Sequence, residues 1–283
     1  GVTIVDSTTQ RTDMDVYWNG VGGEKWVNNL THLESVIAPV GKHLLSSLPL
    51  NKTTSVLDIG CGGGLVASKV AELIKDKGRV LGADISSAIL QESARLYGSM
   101  SNLEFQVCDA ETHAFESSSY DLVISRFGIM FFVDPYAAFR NIYSAIKPGG
   151  FLRMACWQPA KENPWMMKAS AAAFEVLERP PAPQPGEPGP FSLGEESLVI
   201  DILKKSGFGN ITMQPIAEML NMGSLDAALS LMTQLGPAAK PLSEASATDK
   251  IEALRLMKVA LSEGLTPQGV ELAGAFWLVG AEA

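Results

Sequence analysis

Histidine and cysteine are scarce in this chain, with three of each in 283 residues. Cys61, Cys108 and Cys156 are odd in number and far apart, which argues against a disulfide framework and against a zinc site. They read as reduced thiols of a cytoplasmic protein. No metal site is expected. Long apolar runs are also missing. The longest, "LAGAFWLVGA" at 272–281, is about half of the roughly 20 residues a membrane span needs. The opening "GVTIVDSTTQRTD" has no basic stretch followed by an apolar core, so no signal peptide is expected in it. Lysine and arginine never cluster, and the net charge is −9. Nucleic acids are bound mainly by neutralising phosphates, so an acidic chain without a basic run is not expected to bind them.

What is present suffices for a conventional core: 46% of residues are hydrophobic and 19% charged. Residues 1–16 are polar and read as frayed. A helix is expected over 30–48, where Leu33, Val36, Ile37, Val40, Leu44 and Leu45 recur at near-helical spacing. A regular alternation follows. Strands are expected at 55–60, 79–85, 103–110, 120–127 and 151–157, with helices at 65–78, 86–98 and 134–150. This is the pattern of a doubly wound α/β sheet, in which ligands sit at the carboxyl ends of the strands.

Beyond residue 157 the alternation stops. A helix is expected at 161–178, a proline-rich loop at 179–192, then helix, turn and strand over 195–216. Amphipathic helices at 224–235 and 249–262 precede a closing strand at 269–281. Two helices between two late strands suit a cap over the ligand edge.

The stretch "VLDIGCGGGLVAS" at 56–68 admits two registers. From Gly62 it reads G-x-G-x-x-A, a dinucleotide pattern. From Asp58 it reads D-x-G-x-G-x-G. The dinucleotide fingerprint needs its first glycine at the tight turn after the strand. Gly60 takes that place, and the third position counted from it is Leu65, which fails. An acid at the strand end is also unwelcome beside a pyrophosphate. Asp58 suits a phosphate-free cofactor carrying positive charge, such as S-adenosylmethionine. Asp84 ends the second strand and could accept from both ribose hydroxyls, although it would serve NAD equally. Asp109 ends the third strand and could take an adenine amino group.

"VLDIGCGGG", "VLGADIS", "VCDAETHAF", "YDLVISRFGIMFF" and "IKPGGFL" resemble, in order and spacing, the successive motifs of class I S-adenosylmethionine-dependent methyltransferases. "YWNGVGGEKW", "SRFGIMFFVDP", "CWQPAKENPW" and "FWLVGA" are similar to flanking motifs of the UbiE-like bacterial small-molecule group. The resemblance implies a Rossmann-like seven-stranded, mostly parallel sheet with its last strand antiparallel, helices on both faces and a helical cap insertion. It divides the chain into an N-terminal arm (1–50), a cofactor-binding core (51–160), a substrate cap with late sheet elements (161–268) and the last core strand (269–283). It implies that Asp58, Gly60 and Gly62 line the methionine part, Asp84 the ribose, Ile85 and Ala110 the adenine faces, and Asp109 its amino group. Ser125 and Arg126 would border the methionine moiety. Tyr17, Trp18 and Trp26 would fold over the cofactor.

Simpler roles compete at several positions. Trp18 and Trp26 could anchor the arm, though aromatic faces also attract a sulfonium. Phe127, Phe131 and Phe132 could be core. Asp134 precedes a proline and a helix, which suits an N-cap. His113, just past Asp109, is the candidate general base, with Glu111 a similar one; Arg126 could also position an anionic group. Methyl transfer to a small, largely apolar acceptor is the expected reaction, at carbon, oxygen or nitrogen. A cyclisation or rearrangement on the same fold is the alternative. The sequence is silent on oligomeric state.

Overall fold

The computed structural model describes residues 9–53 and 55–283. Helices α1 (Thr9–Asn19) and α2 (Val21–Ser46) precede the alternation. The alternation runs β1 (Ser55–Ile59), α3 (Leu65–Ile74), β2 (Arg79–Asp84), α4 (Ser87–Tyr97), β3 (Leu103–Val107), β4 (Tyr120–Arg126), α5 (Pro135–Ala145) and β5 (Ile146–Trp157). Then come α6 (Pro164–Ala173), α7 (Glu196–Ser206), β6 (Gly209–Asn221), α8 (Leu225–Leu235), α9 (Ala239–Glu244), α10 (Ala247–Ser262), β7 (Leu265–Thr266) and β8 (Gly269–Glu282).

The main sheet has the order β3-β2-β1-β4-β5-β8-β6, with the two-residue β7 paired beside β8. β1 to β5 are parallel, and β8 runs antiparallel between β5 and β6. Successive residues of a strand face opposite sides, and here both sides are covered. Val56, Leu122 and Ile124 join Val66, Val70 and Ile74 of α3 on one face. Leu57 and Val123 join Phe139 and Ile142 of α5, with Ile202 and Leu203 of α7, on the other.

Several boundaries depart from the sequence reading. The frayed N-terminus is corrected over residues 9–16, which belong to α1; residues 1–8 lie outside the described residues. α2 begins nine residues before the expected helix, because Gly22 and Gly23 are packed inside it rather than forming a loop. α5 stops at Ala145, since Ile146 already pairs with Tyr120; the register shift before Leu122 accommodates Pro148 and the left-handed Gly149. α6 is shorter than expected, and α9 was not foreseen.

β6 and β8 continue past the end of β5, where Trp157 pairs with Phe276, and pair on to Asn221 and Glu271. Helix α8 packs against β8, and α9 and α10 pack against α8. α8 also meets α2, and Asn29 donates to Gln234 Oε1 at 2.8 Å. The proline-rich loop is pinned to the segment after β4: Gly189 N–H and the Ser192 hydroxyl both donate to the Met130 carbonyl. Among the described residues, no helix is long and apolar enough to cross a membrane.

Candidate cofactor site

The turn after β1 is built from three left-handed glycines, Gly60 (φ +63°), Gly62 (φ +56°) and Gly64 (φ +86°). A side chain at such angles is costly. Cys61 N–H donates to the Ala83 carbonyl, which holds the turn beside the end of β2. Gly62 N–H donates to Asp84 Oδ2 and Ser86 N–H to Asp84 Oδ1, each at 3.0 Å. These two bonds orient the Asp84 carboxylate and leave its remaining lone pairs for a ligand. Burial raises the Asp84 carboxyl above its ordinary range, while the N–H bonds from Ser86, Gly62 and Ile85 oppose the shift.

Helix α2 lies across this turn. Trp26, Leu30, Glu34, Ile37 and Gly41 recur every three to four residues and form one stripe. The Trp26 indole lies over Gly62, Leu30 over Gly63, and Arg126 beside Gly41. Arg126 pairs with Glu34 at 2.5 Å. Trp26, Glu34, Ile37, Asp58, Gly60, Cys61, Gly62, Val66, Arg126 and Phe127 enclose a cavity of about 20 Å³. Small-molecule pockets are commonly about 300–1,000 Å³, so this cavity is one corner of a larger site and not the whole of it.

Asp58 is 2% exposed, and its Oδ2 finds no hydrogen-bond partner among the described residues. Burial pushes its carboxyl up to about 8; Arg126 pulls against this, and Asp84 and Glu34 add to it. Glu34 Oε2 and Trp26 Nε1 are likewise buried without partners. Buried polar atoms left unpaired call for a specific explanation. Two carboxylate oxygens and one N–H around a single cavity fit a cationic ligand that also bears acceptors. S-adenosylmethionine has that chemistry.

The arm is latched to the ligand edge by hydrogen bonds of Asn19, Ser86 and Ser87. Asn19 donates to the Ile85 carbonyl at 3.0 Å and accepts from Ser87 N–H and the Ser87 hydroxyl at 2.9 Å each. The Ser86 hydroxyl donates to the Trp18 carbonyl and also caps α4 by accepting from Ile89 N–H. Trp18 packs edge-on against Trp26 and Phe131, while Tyr17 packs on Trp18 and is about half exposed.

The other candidates separate. Asp109 Oδ1 accepts from Glu111 N–H, and the Ala110 carbonyl accepts from Asn141, so both lie in an ordered turn after β3. Glu111 is buried and accepts from Asp134 N–H, and Asp134 caps α5 through Ala137 N–H. His113 is not among the cavity-lining residues; its ring meets Phe115 edge-on, and its Nε2 is 3.5 Å from the Gln106 amide. Ser125 is also absent from the lining. Its buried hydroxyl donates to the Ile59 carbonyl and accepts from Gly128 N–H, which ties the turns after β1 and β4 together. Phe127 has φ +68°, rare for a large side chain, and stacks on Trp157 at 4.1 Å. Trp157 in turn meets Trp165 and Phe276. Among the described residues, no group of three His, Cys, Asp or Glu could hold a metal ion.

Residues 56–150 match a family described as a methyltransferase domain. The chain is 31% identical over 128 residues to the ubiquinone/menaquinone biosynthesis C-methyltransferase UbiE of Enterobacter sp. (strain 638), covering 44% of this chain and 51% of that protein. It is 32% identical over 111 residues to the malonyl-[acyl-carrier protein] O-methyltransferase of Marinomonas sp. (strain MWYL1), covering 39% and 41%. The chain thus spans about half the length, or less, of these curated relatives. Among solved structures, the fold is similar to that of Haemonchus contortus phosphoethanolamine N-methyltransferase 2 in complex with S-adenosyl-L-methionine (TM-score 0.57, 19% identity, 98% of this chain and 60% of that one). It is also similar to YcgJ protein from Bacillus subtilis (TM-score 0.55, 16% identity, 85% and 98%). The glycine turn, the strand-end acids, β1 to β4 and the start of β5 fall at or within the residues matched by the methyltransferase-domain model, and the likeness to the UbiE C-methyltransferase covers about half of each chain.

Proposed function

We propose that this protein transfers the methyl group of S-adenosylmethionine to a small, largely apolar metabolite by in-line displacement. The observation that carries the reading is Asp58: a buried carboxyl, one oxygen unpartnered, facing a cavity at a left-handed glycine turn. A cation completes such a site, whereas a pyrophosphate would be repelled.

In this reading Asp58, Gly60 and Gly62 hold the methionine part, Asp84 the ribose, and Ile85, Asp109 and Ala110 the adenine. The bound cofactor supplies an activated methyl carbon. The chain's own residues bind, align and exclude water. Trp26 and the latched arm cover the cofactor loop. Phe127, stacked on Trp157, presents an apolar wall at the same edge, next to Trp165 and Phe276. Residues 161–268 then act as the cover over the acceptor. Alignment at about 3–3.5 Å supplies most of the rate advantage in such a displacement. That fits a cavity lined by binding groups, with His113 away from it.

The relatives are named for C-, O- and N-methylation, so the accepting atom is to be read from an acceptor panel. Incubation with labelled cofactor and quinol, isoprenoid and polyketide-like acceptors should give methylated product and S-adenosylhomocysteine in equal amounts. Productive conversion of an acceptor without S-adenosylhomocysteine would refute methyl transfer in favour of cyclisation or rearrangement.

A further inference from the structure

Glu34 is the one acid on the stripe that α2 lays across the cofactor turn. Its side chain is 15% exposed, and that of its partner Arg126 is 9%. A buried ion pair is a weak source of stability, because desolvation offsets most of the attraction. This pair is also incomplete: Glu34 Oε1 meets Arg126, while Oε2 is buried without a partner on the same cavity. On the other side of the guanidinium, a Cβ at position 41 would come within 3.0 Å of Arg126 Nη1, so Gly41 leaves that flank of the arginine uncrowded.

The charges around the cavity are those of Asp58, Glu34 and Arg126. With both acids ionised, they sum to one negative charge. S-adenosylmethionine carries a sulfonium, an ammonium and a carboxylate, and sums to one positive charge. The match is also spatial in kind, since an acid and a guanidinium side by side mirror an amino acid's two ends.

Building on the methyltransferase reading, we propose that the Glu34–Arg126 pair is the receptor for the amino-acid end of the cofactor. The Glu34 carboxylate accepts from the α-ammonium, and the Arg126 guanidinium donates to the α-carboxylate. Each group exchanges part of an internal contact for a ligand contact, so neither charge is left buried and unpaired. Asp58 faces the remaining positive charge. Arg126 alone would favour any anion; paired with Glu34 it selects a zwitterion. A nucleoside lacking the amino-acid end should therefore gain nothing from the pair.

The test compares two ligands by titration calorimetry: S-adenosylhomocysteine, which has the amino-acid end, and 5′-methylthioadenosine, which lacks it. The proteins are the wild type, Glu34→Gln and the double variant Glu34→Gln/Arg126→Met. The double variant removes both charges of the pair together and carries the test if the single variant fails to fold. The wild type should prefer S-adenosylhomocysteine strongly. Glu34→Gln should lower that affinity about tenfold or more, the scale of a lost charged hydrogen bond, with methylthioadenosine binding changed less than about twofold. The double variant should lose most of the preference. If both ligands weaken together, or the preference survives in both variants, the receptor role is wrong while the cofactor assignment stands. If the wild type binds neither ligand, the cofactor reading itself fails, and this proposal with it.

Discussion

Gly60 and Gly128 meet across the turns that follow β1 and β4, so closely that a Cβ on Gly60 would lie 2.4 Å from the Cα of Gly128. A Cβ on Gly128 would in turn lie 2.4 Å from the Ile59 carbonyl oxygen. The glycine at the cofactor turn is therefore demanded by its neighbour strand as well as by any ligand. Gly62 differs, because a Cβ there would meet only the Trp26 ring, at 3.5 Å.

Gly60→Ala should destabilise the fold by about 2–5 kcal/mol, combining left-handed strain of roughly 1–2 kcal/mol with overpacking of about 1–3 kcal/mol. Gly62→Ala should cost only the first part. Thermal melts of the two variants without ligand check the difference; equal losses would refute it. Loss of binding in Gly60→Ala alone is thus no measure of cofactor contact.

If Asp58 faces the cofactor as proposed, affinity should depend on pH. Its carboxyl titrates near 8 in the folded protein because of burial, with Arg126 opposing and Asp84 and Glu34 adding to the shift. A cation prefers the ionised acid, so affinity for S-adenosylmethionine should rise from pH 6 to 8, by at most about tenfold per unit, and level off above. Asp58→Asn should bind more weakly, with a flatter profile. Stability without ligand should move the other way. The folded value lies above the unfolded one of about 4, so the stabilisation is full below pH 4 and is lost as pH rises to about 8. Wild-type Tm should fall more steeply over that window than the Tm of Asp58→Asn.

Asn19 holds the arm through the Ile85 carbonyl and Ser87. Asn19→Ala should raise amide exchange across α1 and the first turns of α2 by about fivefold or more, as expected for about 1 kcal/mol of lost hydrogen bonding. Exchange in β1 should not change. Equal exchange in the arm of both proteins would mean that the latch is not what keeps it closed.

His113 packs on Phe115, away from the cavity lining. His113→Asn should therefore keep methyl-transfer turnover within about threefold of wild type, against the roughly hundredfold loss expected on removing a general base. A loss of that size, with unchanged cofactor affinity, would restore His113 as the base.

How legible the site was in the sequence follows from how local its parts are. Asp58, Gly60, Gly62 and Asp84 lie at strand ends of a regular alternation, and a strand's end is readable from its apolar run and the turn after it. Trp26, Leu30, Glu34 and Gly41 form a helical stripe of which only Trp26 lies outside the helix expected over 30–48. Packing extends the helix back over Gly22 and Gly23, both buried within it. An acid within an otherwise apolar stripe was the signal that could have found Glu34. Asn19, Phe127 and the stitch made by Ser125 had no such signal, because each depends on a partner 30 to 68 residues away.

The order of strands and helices, the place of the glycine turn and the acids that follow it are legible along the chain, because they depend on short-range periodicity and on backbone angles only glycine adopts easily. Tertiary structure alone decided which atoms meet. It left one oxygen of Asp58 without a partner, set Arg126 against Glu34 instead of free to face a substrate, assigned the Ser125 hydroxyl to backbone, and closed the arm over the turn. Charges and hydrogen bonds act over a few ångströms in space, and separation along the chain says little about that distance until the sheet has formed.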